Sequence, residues 1–590
     1  MQARPIRLSV PRQTRDTLDF CEGTPQALTA WAAPLQAGAP DEGIATLLPA
    51  LAEINQCRTA PSERLEQLEA IRPVVWFLCS RLAQSTLTRP LRLDRDEQTA
   101  LANAQSLQTQ LAAGYKLVVG QWLQAEGPLR TAAEPVGPPV IALHRALSDL
   151  GQTLLRALQL YTPAPPRVWE QLHQLYYLAE RQAITGLSST DPVQQQAKPL
   201  RIRDVYMRLL LLGCARPNML RQQALLSLFK ALEDWAARVH LSTDVSDAHL
   251  LVDLTSDQAP LDATRYVGHS GEDLRCLVTE PLLVILRQRF ELTADVGYGA
   301  GADDPELLSH LLQAWGRSAR RAFKRSRASG SLEICIGLPA LHFHSAGGLS
   351  LQAQLRGGRS IEAFAADSEE DVDPFAGAGD VGGARNEEPT RRRAESPGAA
   401  EPVEDHPVSR LRLEDISPGG YGLIWETRPA ADLQAGELVG LRAPGDAHWS
   451  VAVVRWCRNV PGELRLGVEL LAPRAASACV RPLGQQTAWN AWGPALVLPA
   501  VSALSQPPYL ITPSGPFAPG QKVILNQYGT GLRARLQVLE RASHGFAEFR
   551  FEELGVPREV QPDTGIEVEY LDADVDFESV WGRRDGPRPS

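Results

Sequence analysis

Between Ser409 and Trp425 polar and apolar residues alternate, break at Ser417-Pro-Gly-Gly420, and then alternate again. A repeat of two residues sorts side chains onto two faces when the backbone is extended, so the stretch reads as a strand, a tight turn and a second strand. The turn holds a carboxylate (Asp415), a hydroxyl (Ser417) and a glycine (Gly420) at the spacing D-x-S-x-x-G. Such a turn can aim an acceptor and a hydroxyl at one ligand, while the glycine lets the backbone come close.

The surroundings of this hairpin are also strand-like. Ser331 to Gly337 lies upstream, and Trp449 to Trp456 and Leu464 to Leu470 lie downstream. Ahead of the first of these runs a basic stretch, in which Arg317, Arg320, Arg321, Lys324, Arg325 and Arg327 are separated by no acid. On its own this could be a solvated helix end, where cations suit the dipole.

Taken in order, these features resemble PilZ domains, the small β-barrels that bind cyclic di-GMP. Their first signature, R-x-x-x-R just before the first barrel strand, is matched by Arg321-Ala-Phe-Lys-Arg325, and their second by Asp415-Ile-Ser-Pro-Gly-Gly420. The resemblance covers roughly a quarter of the chain. It implies that Arg321, Arg325, Asp415, Ser417 and Gly420 line the dinucleotide. Arginine forks match the O6 and N7 edge of guanine, and Asp415 can accept from guanine N–H groups. The two signatures stand 90 residues apart in this chain, against a few tens in the family, and an insertion between early barrel strands accounts for the distance. Residues 356–406 have the composition for it. They are rich in Gly, Ala, Asp, Glu and Pro and poor in large apolar residues, so they are expected to be disordered.

Before the basic stretch the texture is helical, rich in Ala, Leu, Gln and Arg. Helices are expected from Ser62, over Asp94–Glu126 and Pro139–Tyr161, from Arg167, and over Arg203–Leu212, Arg221–Val239, Gly271–Arg289 and Pro305–Arg325. Ala248 to Leu254 reads as a short strand. The glycine-rich Gly297–Gly301 reads as a loop ahead of a helix, since the acids that follow would repel phosphate. After the barrel, strand-like runs at 495–498, 508–512, 521–525, 531–539 and 546–551 suggest a small barrel or sandwich that lacks both signatures. The expected fold class is therefore multidomain α + β. An all-helical region, bundle or αα array, covers 1–315. A PilZ-like β-barrel covers 316–480, and a second small β-rich domain covers 481–590, with the tail after Trp581 loose.

A net charge of -10 argues against general affinity for DNA or RNA, so any anion site must be a local patch. The eight cysteines form no C-x-x-C pair. His342-x-His344, on an expected strand, has no third ligand for a metal. There is no signal peptide and no run long enough to span a bilayer, which points to the cytoplasm. No nucleophile elbow, zinc-protease motif or Walker loop is present, nor are the signatures of cyclic di-GMP synthases or phosphodiesterases. The chain therefore reads as a cyclic di-GMP receptor, not an enzyme. It needs no cofactor, and its helical region passes the signal to a protein partner. The alternative is an interaction scaffold whose barrel no longer binds nucleotide.

Overall fold

The computed structural model describes residues 6–87, 94–125, 127, 129, 136–194, 198–268, 271–294, 301–317, 325–356, 406–427, 433–483, 491–500 and 507–554. Most of the segment expected as an insertion, the loose tail, most of the glycine-rich loop and Arg321 lie outside these residues. The chain divides into two units. One is Met1–Ala322 with Trp425–Gly436 and Arg455–Leu466; the other is Phe323–Ile424 with Glu437–Val454 and Gly467–Ser590.

The first unit is mainly helical: α1 (Pro25–Ala32), α2 (Pro40–Gln56), α3 (Pro61–Leu87), α4 (Arg95–Ala125), α5 (Pro138–Gln159), α6 (Val168–Arg181), α7 (Ile202–Cys214), α8 (Gln222–Trp235), α9 (Glu280–Ala294) and α10 (Pro305–Trp315). Several begin on proline, whose fixed φ suits a first helical turn. Asp304 caps α10 by accepting from the Glu306 amide at 3.0 Å. The apolar stripes of the helices merge into one core running from Leu28 to Trp315. Within it Arg72 is fully buried, donating to Asp191 at 2.6 Å and 2.8 Å and lying within 3.4 Å of Asp149, which also accepts from the Trp76 indole. A buried cation is tolerable only with such partners.

Short strands are set into this unit: β1 (Ser188–Ser189) pairs with β2 (Leu200–Arg201), and β3 (His240–Ser242), β4 (Leu250–Asp253), β5 (Leu261–Asp262) and β6 (Leu274–Val278) form a sheet in the order β3-β6-β4-β5. The strand expected near 248–254 is β4. The helix expected from Gly271 starts later, because Leu274-Arg-Cys-Leu-Val278 pairs on both sides as β6. The last helix also stops early. Gly316 turns extended after Trp315, so α10 ends before the basic stretch begins.

The second unit holds most of one barrel, apart from Trp425 and the residues of two strands that fall within Arg455–Leu466, and the whole of another. The first is built from β7 (Ser326–Arg327), β8 (Ser331–Ile336), β9 (Ser409–Ser417), β10 (Gly420–Trp425), β11 (Leu438–Arg442), β12 (Ser450–Val460) and β13 (Glu463–Ala472). Its order is β10-β13-β12-β11-β8-β9-β7, and a further pairing of β10 with β9 closes the ring. Between β8 and β9 come α11 (Gly337–Ser345) and α12 (Leu351–Leu355). The other barrel is closed in the order β14-β15-β16-β19-β18-β17. Its strands are β14 (Ala476–Pro482), β15 (Gly493–Leu498), β16 (Tyr509–Thr512), β17 (Lys522–Gln527), β18 (Thr530–Ala542) and β19 (Ala547–Glu553).

The histidine pair expected on a strand is on α11. Gly337, at φ +85°, turns the chain out of β8, and Pro339 cannot donate to a ladder. Two residues apart on a helix means about 200° of rotation, so His342 and His344 part company. His342 is buried, while His344 donates to the His406 carbonyl at 3.0 Å.

Candidate functional site

Strands β7, β9 and β10 lie side by side, and one cross-strand row runs Arg327, Asp415, Gly422. Residues in register present their side chains on one face, so Asp415 has a cation beside it on one strand and no side chain beside it on the other. Its carboxylate accepts from Arg325 Nη1 at 2.8 Å, a contact between residues 90 positions apart. The two side chains are 34% and 26% exposed. They are open enough to meet a solute, and an ion pair this exposed contributes little to stability. Its effect is to orient the guanidinium fork.

The carboxylate lies directly over Gly422, where an added Cβ would come within 2.6 Å of Asp415 Oδ1. The register of β9 and β10 slips between Gly422 and Leu423, and bulges of this kind re-aim side chains beside sites.

Ser417 and Gly420 face each other across the turn, and the Ser417 hydroxyl donates to the Gly420 carbonyl at 3.2 Å. Gly420 has φ +150°, and a Cβ there would sit 2.0 Å from the Val468 carbonyl oxygen. The Leu470 amide donates to the Gly419 carbonyl at 3.1 Å. The turn is thereby pinned against β13.

Of the five residues singled out from the sequence, the structure brings Arg325 onto Asp415 and closes Ser417 on Gly420. Arg321 lies outside the described residues. Two neighbours escaped the sequence reading. In the sequence Arg327 is one of six cations in the basic stretch, and its place opposite Asp415 depends on register. Gly422 did leave a signal, because a glycine inside a strand often marks a close approach. Among the described residues, no group of three or more His, Cys, Asp or Glu is placed to hold a metal ion. The arrangement suits a planar, anionic partner with both acceptors and N–H donors on one edge.

Three family models match in succession. Residues 26–247 match the N-terminal domain of the cyclic-di-GMP receptor FimW, 249–477 its middle PilZ domain, and 478–554 the FimW C-terminal beta-barrel domain. The chain is also 33% identical over 614 aligned positions to the cyclic-di-GMP receptor FimW of Pseudomonas aeruginosa, covering 98% of this chain and 99% of that protein.

Proposed function

From the premise that the chain belongs to the family of the cyclic-di-GMP receptor FimW, we propose that it is itself a receptor for cyclic di-GMP, holding the dinucleotide where β7, β9 and β10 meet. The contact between Arg325 and Asp415 carries the reading. The Arg325 fork matches the O6 and N7 acceptors of a guanine. Asp415, beside it, accepts from guanine N–H groups, and the two together fit the donor and acceptor pattern of one base. Arg327 stands next to them as a cation for a phosphate. Arg321, four positions before Arg325, supplies a second fork. Gly422 keeps the space over Asp415 open, and Gly420 lets the turn sit tight on the barrel.

These residues bind and orient; none is assigned a bond-breaking step, so the protein acts as a receptor and not an enzyme. Eight cysteines, all described and none in a disulfide, fit a reducing cytoplasm. Among the described residues no helix is long and apolar enough to cross a membrane. The helical unit, which carries none of the assigned ligand contacts apart from Arg321, would pass the signal to a protein partner.

Calorimetry with cyclic di-GMP, GTP and short oligonucleotides tests the reading. The protein should bind only the cyclic dinucleotide. Arg325→Ala should weaken that binding by about 2–3 kcal/mol, roughly 30- to 150-fold, through loss of charge-assisted bonds. Asp415→Ala should cost less. A parent protein that binds no cyclic di-GMP would leave the scaffold reading in its place.

A further inference from the structure

The barrel formed by β14 to β19 carries a basic face that the ligand site does not use. One cross-strand row on its outside runs Arg481, Ile524, Arg533. The Arg481 guanidinium lies 5.0 Å from the centre of the Trp492 ring. In the next row Lys522 is set against Arg535. With strands ~4.8 Å apart, the cations lie within about 10 Å of their neighbours. Arg535 is answered by Glu552 at 3.0 Å. Arg481, Lys522 and Arg533 carry no carboxylate partner among the described residues. Like charges this close repel one another, so the face favours a polyanion.

The same unit contains one, and the chain delivers it nearby. Helix α12 lies along this barrel, with the Cys479 thiol donating to the Leu351 carbonyl at 3.8 Å. Cys479 is two residues before Arg481 and so shares its face of β14. From α12 the chain runs on through Arg356 into the stretch that holds Glu362, Asp367, Glu369, Glu370, Asp371 and Asp373, with no lysine or arginine between Arg359 and Arg385. The path from Arg356 to Asp367 can span up to roughly 36 Å, ample to reach the basic rows. A tether this short also holds a segment at millimolar effective concentration.

We propose that the acidic stretch Glu362–Asp373 docks on this basic face of the C-terminal barrel, its carboxylates on Arg481, Lys522 and Arg533. The insertion then links the two barrels through a charge contact that salt can loosen.

A fluorescent peptide with the sequence of residues 360–376 tests the proposal. It is titrated into the full chain and into the same chain with residues 362–373 replaced by Gly and Ser. The replaced chain should bind the peptide, and the intact chain should bind it at least tenfold more weakly because its own segment occupies the face. Binding to the replaced chain should weaken at least tenfold on raising salt from 50 to 300 mM, and likewise with Arg481→Gln, Lys522→Gln and Arg533→Gln combined. If the triple variant melts early, Arg533→Gln alone should still weaken binding severalfold. No binding by the replaced chain, equal binding by both chains, or binding indifferent to the three substitutions would each overturn the proposal. Equal binding by both chains would assign the face to an acidic partner protein. None of these readouts involves cyclic di-GMP, so the result is independent of the ligand site.

Discussion

Gly420 and Gly422 stand two residues apart on one strand, and the same substitution should do opposite things to them. At Gly420 a Cβ would strike the backbone oxygen of Val468 at 2.0 Å, in a conformation (φ +150°) that other residues rarely adopt. Backbone cannot step aside cheaply, so Gly420→Ala should cost at least about 2 kcal/mol. That would lower the melting midpoint of the middle barrel by roughly 5 °C or more. At Gly422 the obstacle is the end of the Asp415 side chain, which can rotate away. Gly422→Ala should leave the melting midpoint nearly unchanged and instead displace the carboxylate from Arg325. Cyclic di-GMP affinity should then fall about tenfold, equal to ~1.4 kcal/mol. Calorimetric melts and titrations of the two variants separate the cases. An unstable Gly422→Ala protein would mean that the row is held for folding and not for the ligand. The two glycines also mark how far sequence takes this site. Asp415, Ser417 and Gly420 are legible because turn chemistry is local. The meeting of Arg325 with Asp415, and the place of Arg327, depend on strand register across 90 residues, which spacing alone does not encode.

Helix α11 shows the same limit for an element. Strands with clean alternation, such as 409–417 and 420–425, declare themselves. The stretch after Ile336 continues β8 in composition, but one glycine at positive φ turns it into a helix, and no periodicity signals that change. β14 is also illegible in the sequence, since Ala476-Ser-Ala-Cys lacks the branched residues that advertise a strand. Once formed, α11 is a wedge: Leu338 and Leu341 share a core with Trp449 and Val451 of one barrel and Leu496, Ile511 and Phe546 of the other. His342 is buried in the same helix. Burial lowers its pKa to about 4, a bond with the Ala478 backbone opposes the shift, and the charge of His406 adds to it. The sign follows from linkage. The unfolded chain takes up this proton near pH 6.5 and the folded chain only near 4, so the stability it contributes is full above 6.5 and is lost as pH falls toward 4. The full loss is roughly 3 kcal/mol. Denaturant melts of this unit should therefore weaken across that window, and His342→Gln should flatten the slope there. An equally steep slope in the variant would place the acid lability elsewhere.

For the whole molecule the question is how a ligand held by one unit affects the other. Residues 316–325 are the covalent link between α10 and β7. Six cations occupy positions 317–327 with no acid among them, and their mutual repulsion is relieved when an anionic ligand binds. A dinucleotide that fixes Arg325 and Arg321 would restrict the link and thereby the orientations open to the helices. It can shift their populations only as far as its affinity differs between those orientations. Hydrogen exchange with and without cyclic di-GMP reads this out. Protection should rise at 325–330 and 413–422 if the ligand lies at the site proposed above, with or without coupling. Coupling adds a change at some surface of α1 to α10, and Arg321→Ala should reduce that distant change more than it reduces the protection at 413–422. Protection confined to the two signatures would mean that the barrel binds without informing the helices. The partner would then have to recognise the ligand-bound barrel itself.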